Sequence, residues 1–188
     1  MPRVVNIEQR RAELTDATAR LIAKSGIGAA TMRDVAAEAG WTTGTLTHYF
    51  TGKRELLLHT FRTSLEHRRA RRSTFAGDPR AALHDSLEGA LPLDDDRRRH
   101  WMVTIAFCAQ AAGDPDLAAA QRDAYREFRA RVASLVMACD LAASETDAVA
   151  IAERMITIAD GIAIQALFDP ETWPPARQLA ALGSALGN

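Results

Sequence analysis

Between positions 31 and 53 the chain gathers side chains that hydrogen-bond and carry charge: Thr31, Arg33, Thr42, Thr43, Thr45, Thr47, His48, Tyr49 and Lys53. Threonine hydroxyls reach phosphate oxygens or base edges, and a threonine methyl packs on the methyl of thymine. Lysine and arginine supply the charge that a polyphosphate attracts. The chemistry on offer is recognition of nucleic acid. Catalysis would need another constellation. His48, His59, His67, His84 and His100 are scattered, and none sits in HExxH or a comparable metal spacing. No Gly-rich phosphate loop, nucleophile elbow or Cys–His pattern is visible. The expectation is a non-enzyme with no cofactor and no metal.

The elements that must hold these residues follow from the stretch TMRDVAAEAGWTTGTLTHYFTGKRELL, Thr31 to Leu57. Thr31 with Asp34 three residues on has the form of a capping box, and Val35, Ala36 and Ala39 give the helix it starts a small apolar face. Gly40 stands where that helix stops, because a left-handed C-terminal residue costs glycine little. Thr42 caps a second helix, whose Leu46, Tyr49 and Phe50 face inward while Thr43, Thr45, Thr47 and His48 lie on the other side. Two short helices joined by a glycine turn make a helix-turn-helix, which places its second helix in the major groove of DNA. Phe50 reads as core. Tyr49 is open between core packing and a DNA contact.

The spaced positions Thr31, Val35-Ala36, Ala39-Gly40, Gly44-Thr45-Leu46, Tyr49-Phe50, Lys53 and Glu55-Leu56 resemble the DNA-binding domain of the TetR family of bacterial transcriptional repressors. Thr47 stands where the commonest family pattern has Tyr, and Trp41 where it has Val. A hydroxyl residue followed by His-Tyr-Phe is similar to the branch that includes the choline/betaine-responsive regulators. The resemblance implies that Thr31 and Arg33 meet phosphate or a groove edge. It places Thr42, Thr43, Thr45 and Thr47 on the recognition helix, and Tyr49 and Lys53 at the DNA backbone. It also implies a homodimer that binds a palindromic operator in double-stranded DNA and is released by a small-molecule effector.

Charge is unevenly divided. Residues 1–72 hold 13 Lys/Arg against 7 Asp/Glu, a net of +6, and residues 73–188 hold 10 against 17, a net of −7. A positive head on an acidic body suits a protein that meets polyphosphate at one end. The chain of 188 residues is rich in Ala and sparse in aromatics, which favours closely packed helices. No run of 18 apolar residues and no signal peptide is present, so the expected location is the cytoplasm, without membrane contact. Cys108 and Cys139 are isolated and read as buried free thiols.

The fold class expected is all-α, with an N-terminal three-helix helix-turn-helix domain over residues 1–52. A linking helix follows over 53–76, and a helical ligand-binding and dimerisation domain over 77–188. Residues 1–5 form an arm carrying Arg3. Asn6 with Gln9 caps the first helix, whose stripe is Leu14, Ala17, Thr18, Leu21 and Ile22 and which ends at Ser25-Gly26. The linking helix ends in the basic run Arg68, Arg69, Arg71 and Arg72, read as a solvated or ion-pairing strip. Asp78-Pro79, Asp114-Pro115, Ser144 with Asp147, and Pro174-Pro175 open four further helices. The nearly charge-free segment from Trp101 to Ala112 reads as buried on most sides.

Candidate effector-lining residues are Trp101, Ile105, Cys108, Tyr125, Phe128 and Met155, although apolar positions at helical spacing are plain core by default. Trp101, Phe107, Tyr125, Phe128, Phe168 and Trp173, with Phe75 at the edge, are the body's aromatics, and their spacing does not show that they converge on a cation. The last two helices are apolar enough for a subunit interface through Ile151, Ile158, Ile162, Leu179, Leu182 and Leu186.

Overall fold

The computed structural model describes residues 7–72 and 77–186. The arm with Arg3, the Asn6 cap and Phe75 lie outside the described residues, as do the side chains of Arg71 and Arg72. Helices and turns account for the described residues, with no strand among them. In chain order they are α1 (Ile7–Ala29), α2 (Met32–Glu38), α3 (Thr43–Leu46), α4 (Lys53–Arg72), α5 (Pro79–Glu88), α6 (Asp95–Ala111), α7 (Pro115–Ala138), α8 (Glu145–Phe168) and α9 (Pro175–Leu186). Two compact units emerge: Met1–Leu65 with Met102–Ala118, and Glu66–Trp101 with Ala119–Asn188. None of the described helices is long and apolar enough to cross a membrane.

In the first unit, α1 buries Leu14, Ala17, Thr18 and Ile22, while Leu21 is half-buried. The polar members of the stripe are satisfied locally: Thr18 Oγ1 donates to the Leu14 carbonyl at 2.7 Å and Thr15 Oγ1 to that of Arg11 at 2.7 Å. The same core holds Val35, Ala36, Leu46, Phe50, Leu56 and Phe61. Full burial of one such Leu or Phe contributes about 1.5–3 kcal/mol. Gly26 does not end α1 in a loop. It sits at φ 78°, ψ 167° as a kink, and a further helical turn runs through Gly28 to Ala29.

Thr31 caps α2 by accepting from the Asp34 N–H at 3.2 Å, and its own hydroxyl donates to the Asp34 carboxylate at 2.5 Å. The far end of α2 closes in a Schellman arrangement. The Gly40 N–H donates to the Ala37 carbonyl at 3.0 Å and the Trp41 N–H to that of Ala36 at 2.7 Å. Gly40 has φ 73°, which a side chain would strain. Trp41 alone stands between Gly40 and the Thr42 cap of α3, so the four residues Ala39 to Thr42 join the two helices.

The start of α4 is tied down by Glu55. Its carboxylate accepts from the Thr51 N–H at 2.8 Å and the Thr51 hydroxyl at 2.9 Å, and pairs with Arg11 of α1 at 3.1 Å. Farther along, Phe61 stacks on Phe107 of α6 with centroids 4.8 Å apart. Arg54 bridges to Asp114 at 3.1 Å and Asp116 at 2.7 Å, at the start of α7. The charge-free segment is less buried than its composition suggested: Cys108, Ala109 and Gln110 are exposed. A helix within a small unit can leave one face to solvent when that face is small or weakly polar. Cys108 therefore departs from the expected buried thiol, while Cys139 is buried and its thiol is pushed up by desolvation.

In the second unit α5 packs on α8 and α9, and α8 on α9. Asp78 caps α5 through the Arg80 and Ala81 N–H groups, and Ser144 caps α8 through the Asp147 N–H at 3.1 Å. Ala148, Ala152, Ala159, Ala163 and Ala166 line the buried side of α8, where small side chains let helices approach closely. The C-terminal carbonyls of α8 have a specific partner. Arg98 donates to Ala166 at 2.9 Å and Leu167 at 2.6 Å, placing a cation where the helix dipole is negative.

Candidate nucleic-acid interface

The hydroxyl face expected of the recognition helix is outward. Thr42, Thr43, Thr45, Thr47 and His48 are all exposed, while Leu46 and Phe50 on the opposite side are buried. Their hydroxyls are not equivalent. Thr42 Oγ1 accepts from the Thr45 N–H at 3.1 Å and shares a hydrogen with Thr45 Oγ1 at 2.8 Å. Thr47 Oγ1 donates to the Gly44 carbonyl at 2.8 Å. A hydroxyl has one hydrogen and two lone pairs, so Thr45 and Thr47 retain acceptor capacity, while the donors of Thr47 and of one of the Thr42/Thr45 pair are engaged. Thr43 makes no side-chain hydrogen bond among the described residues, which leaves its donor and acceptors available at the first position of α3.

Arg33 is exposed and without an ion pair among the described residues. Thr31 is exposed beside it but committed to Asp34. Tyr49 is half-buried, its ring edge-on to Trp41 with centroids 5.6 Å apart. Lys53 is half-buried, and its Nζ reaches the carbonyls of Ile27 at 3.3 Å and Gly28 at 3.4 Å.

The positive head therefore spends much of its charge internally. Arg10 pairs with Glu13 at 2.9 Å, Arg11 with Glu55, Arg20 with Glu38 at 2.9 Å and with Asp16, and Arg54 with two aspartates. Arg68 and Arg69, near the end of α4, behave similarly in the second unit. The Arg68 guanidinium is buried 4.5 Å over the Trp101 ring, and Arg69 pairs with Glu127. Arg33 then stands out as an uncommitted cation one short helix from the threonine face.

The effector candidates are distributed between the units. Trp101, Tyr125, Phe128 and Met155 belong to the second, Ile105 and Cys108 to the first. Trp101 is 5 % exposed, its Nε1–H donates to the Ala90 carbonyl at 2.6 Å, and Phe128 is 6 % exposed. Tyr125 donates its hydroxyl to Asp160 at 2.7 Å, and Ile105 and Met155 are half-buried. Of the interface candidates, Ile158 is exposed, while Ile151, Leu179 and Leu186 are half-buried. Ile162 and Leu182, at 6 % and 0 % exposure, are instead buried within the protomer, because α8 and α9 turn those positions toward each other and α5. No group of three potential metal ligands occurs among the described residues.

Several residues that organise the site carry no advance signal in the sequence. Trp41 marks only a departure from a pattern, yet its ring lies between α1 and Tyr49. The guanidinium of Arg10 sits 4.9 Å from its centroid. Arg11 covers Phe50 at 4.5 Å in the same way. These contacts join positions over 30 apart, which spacing along the chain does not reveal.

Comparison with known proteins identifies the family. Residues 14–60 match the family model for bacterial regulatory proteins of the tetR family, and residues 79–188 match that for the C-terminal domain of BetI-type transcriptional repressors. The HTH-type transcriptional regulator PksA of Bacillus subtilis (strain 168) is 30% identical over 173 residues, covering 90% of this chain and 84% of PksA. A transcriptional regulator from Rhodococcus sp. Rha1 superposes with a TM-score of 0.85 at 30% identity over 94% of each chain. A transcriptional regulator from Saccharomonospora viridis, solved in complex with choline, superposes with a TM-score of 0.86 at 23% identity, covering 96% of this chain and 97% of that one. The chain belongs to the TetR family and is a DNA-binding transcriptional regulator.

Proposed function

We propose that the protein is a repressor that binds a palindromic operator as a homodimer and leaves it when a small molecule binds the helical body. The observation that carries the operator reading is the outward hydroxyl face of α3, with Thr43 uncommitted and Leu46 and Phe50 anchoring the opposite side. Thr31, Arg33, Tyr49 and Lys53 flank that face and supply backbone contacts. A twofold dimer presents α3 to two half-sites, so the operator has matching symmetry. Release is a population shift: the effector must bind the DNA-incompetent state more tightly. The test is selection of bound genomic fragments by the purified chain, followed by footprinting. A protected palindrome is the expected result. Weak, salt-sensitive binding without preference for any fragment would refute it.

A second reading, regulation without a small molecule, is favoured by one feature of the body. Trp101 has its indole N–H on a backbone carbonyl and one face under Arg68. That face already holds a cation, so it offers nothing to the quaternary ammonium of choline, the ligand of the Saccharomonospora viridis protein. A thermal-shift screen separates the two readings, since a ligand of the native state raises the midpoint.

A further inference from the structure

We propose that Trp41, braced by Arg10, is the positioning residue that sets the angle at which α3 meets DNA. The inference rests on the reading of α3 as the recognition element. α3 has four helical residues and buries one of them, Leu46, so it has little of its own to fix its orientation. Trp41 is the one residue between Gly40, which closes α2, and Thr42, which caps α3. Its N–H is fixed to the Ala36 carbonyl at 2.7 Å, which anchors its backbone to α2. Its ring then makes two contacts outside that turn. The edge-on partner, Tyr49, lies just past the end of α3. The guanidinium of Arg10 covers the ring from α1, at 4.9 Å, and is itself held by Glu13 at 2.9 Å. The ring thus touches α1, follows α2 and spans both ends of α3.

An aliphatic side chain at 41 could fill space but could not make these contacts. The attraction for a guanidinium comes from the negative π face, and the edge-on pairing with Tyr49 needs a second ring. Trp41 is half-buried and the Arg10 side chain is 39% exposed, so neither is a principal member of the core. The pair guides the recognition helix from the rim of the unit.

The experiment uses the full chain, a duplex selected from genomic fragments by the wild type, and a shuffled duplex of equal length. Affinities for both duplexes and the thermal midpoint are measured for each variant. Trp41→Leu should lower the ratio of selected to shuffled affinity about tenfold, the scale of one lost base-pair preference, with shuffled binding nearly unchanged. Trp41→Phe, which keeps a face and an edge, should restore most of the ratio. Arg10→Ala should lower the ratio in the parent and have no added effect on Trp41→Leu. An equal fall in both affinities, tracking the midpoint, would show a merely structural role and overturn the proposal. So would an Arg10→Ala effect that persists without the indole, or a Trp41→Leu ratio equal to the parent's. A wild type that prefers no fragment would overturn the operator reading itself, and this inference with it.

Discussion

The Nζ of Lys53 lies 3.3 Å from the carbonyl oxygen of Ile27 and 3.4 Å from that of Gly28, so the first residue of α4 closes the last turn of α1. An ammonium has three donors, and two of them point at carbonyls in the last turn of α1, of which that of Ile27 also accepts from the Ala30 N–H at 3.4 Å. The third remains for a phosphate. Lys53→Ala should therefore have two separable effects. Binding to all duplexes should weaken, with the slope of log affinity against log salt reduced by about one. The midpoint of the DNA-free protein should also fall, because the last turn of α1 loses the two hydrogen bonds from Nζ. Electrophoretic or anisotropy titration over a salt series, with a melt alongside, checks both. A loss confined to the selected duplex would contradict the phosphate role.

Thr42 and Thr43 are neighbours of the same type with different work. Thr42 caps α3 and Thr43 has no side-chain bond among the described residues. Thr42→Ala should destabilise the protein by about 1 kcal/mol, the usual worth of an N-cap, and weaken DNA binding along with it. Thr43→Ala should leave the midpoint unchanged and still weaken binding to the selected duplex. Denaturant titration paired with a binding isotherm for each variant makes the comparison. Equal behaviour of the two would mean that the cap geometry does not divide their roles.

Gly44 lies inside α3, where a side chain would meet nothing nearer than Thr42 Oγ1 at 3.9 Å. The protein's own packing does not require glycine there, and glycine in a helix is less stable than alanine by up to about 1 kcal/mol. The proposed reading of α3 as the recognition helix brings DNA backbone close to this position, where glycine leaves room for it. Gly44→Ala should raise the midpoint slightly and lower affinity for the selected duplex. If affinity is unchanged, DNA does not come close at this position.

The Glu55 carboxyl is held below its ordinary range by the Thr51 N–H first, then the Thr51 hydroxyl and Arg11. A depressed folded value means that the stabilisation is present above the unfolded carboxylate range and is lost as pH falls through the folded value. The side chain is 38% exposed, so water screens much of the effect. Glu55→Gln should lower the midpoint by a few degrees at neutral pH. The variant and parent should converge as the solution is made acidic. Melts at a series of pH values would show the convergence, and a gap that widens in acid would rule the network out as its source.

How far these relationships could be read from the chain depends on their range. Caps and stops are local, so Thr31, Gly40, Thr42, Asp78 and Ser144 mark the helices they bound, and Leu46 and Phe50 follow from helical period. Charge was a poorer guide. A basic head looks free to meet phosphate, but Arg10, Arg11, Arg20 and Arg54 have partners up to 62 positions away, which a count of residues does not register. The tie from Arg98 to the end of α8 spans 68 and 69 positions, which no local pattern signals. Apolar residues on the last two helices were also ambiguous, because the same period serves a monomer core and a subunit contact.

Ile158 and Ile162 divide that ambiguity. They are one helical turn apart on α8, but Ile158 is 36% exposed and Ile162 only 6%. Gly161, Gln165 and Phe168 continue outward from Ile158 at spacings of 3, 4 and 3, so they share one stripe of the helix, and Phe168 is 74% exposed at its end. A stripe that exposes Ile158 and Phe168 at its two ends suits a second copy of the chain, whose matching stripe would bury them across a twofold axis. Ile158→Glu should then yield folded monomers: light scattering should show halved mass while helical content by circular dichroism is kept. Ile162→Glu should instead unfold the body, since an unpaired carboxylate within the protomer costs several kcal/mol. A Ile158→Glu protein that remains dimeric would move the subunit contact away from this stripe, and an Ile162→Glu protein that stays folded would show that the α8 core tolerates water where the burial of Ile162 says it should not.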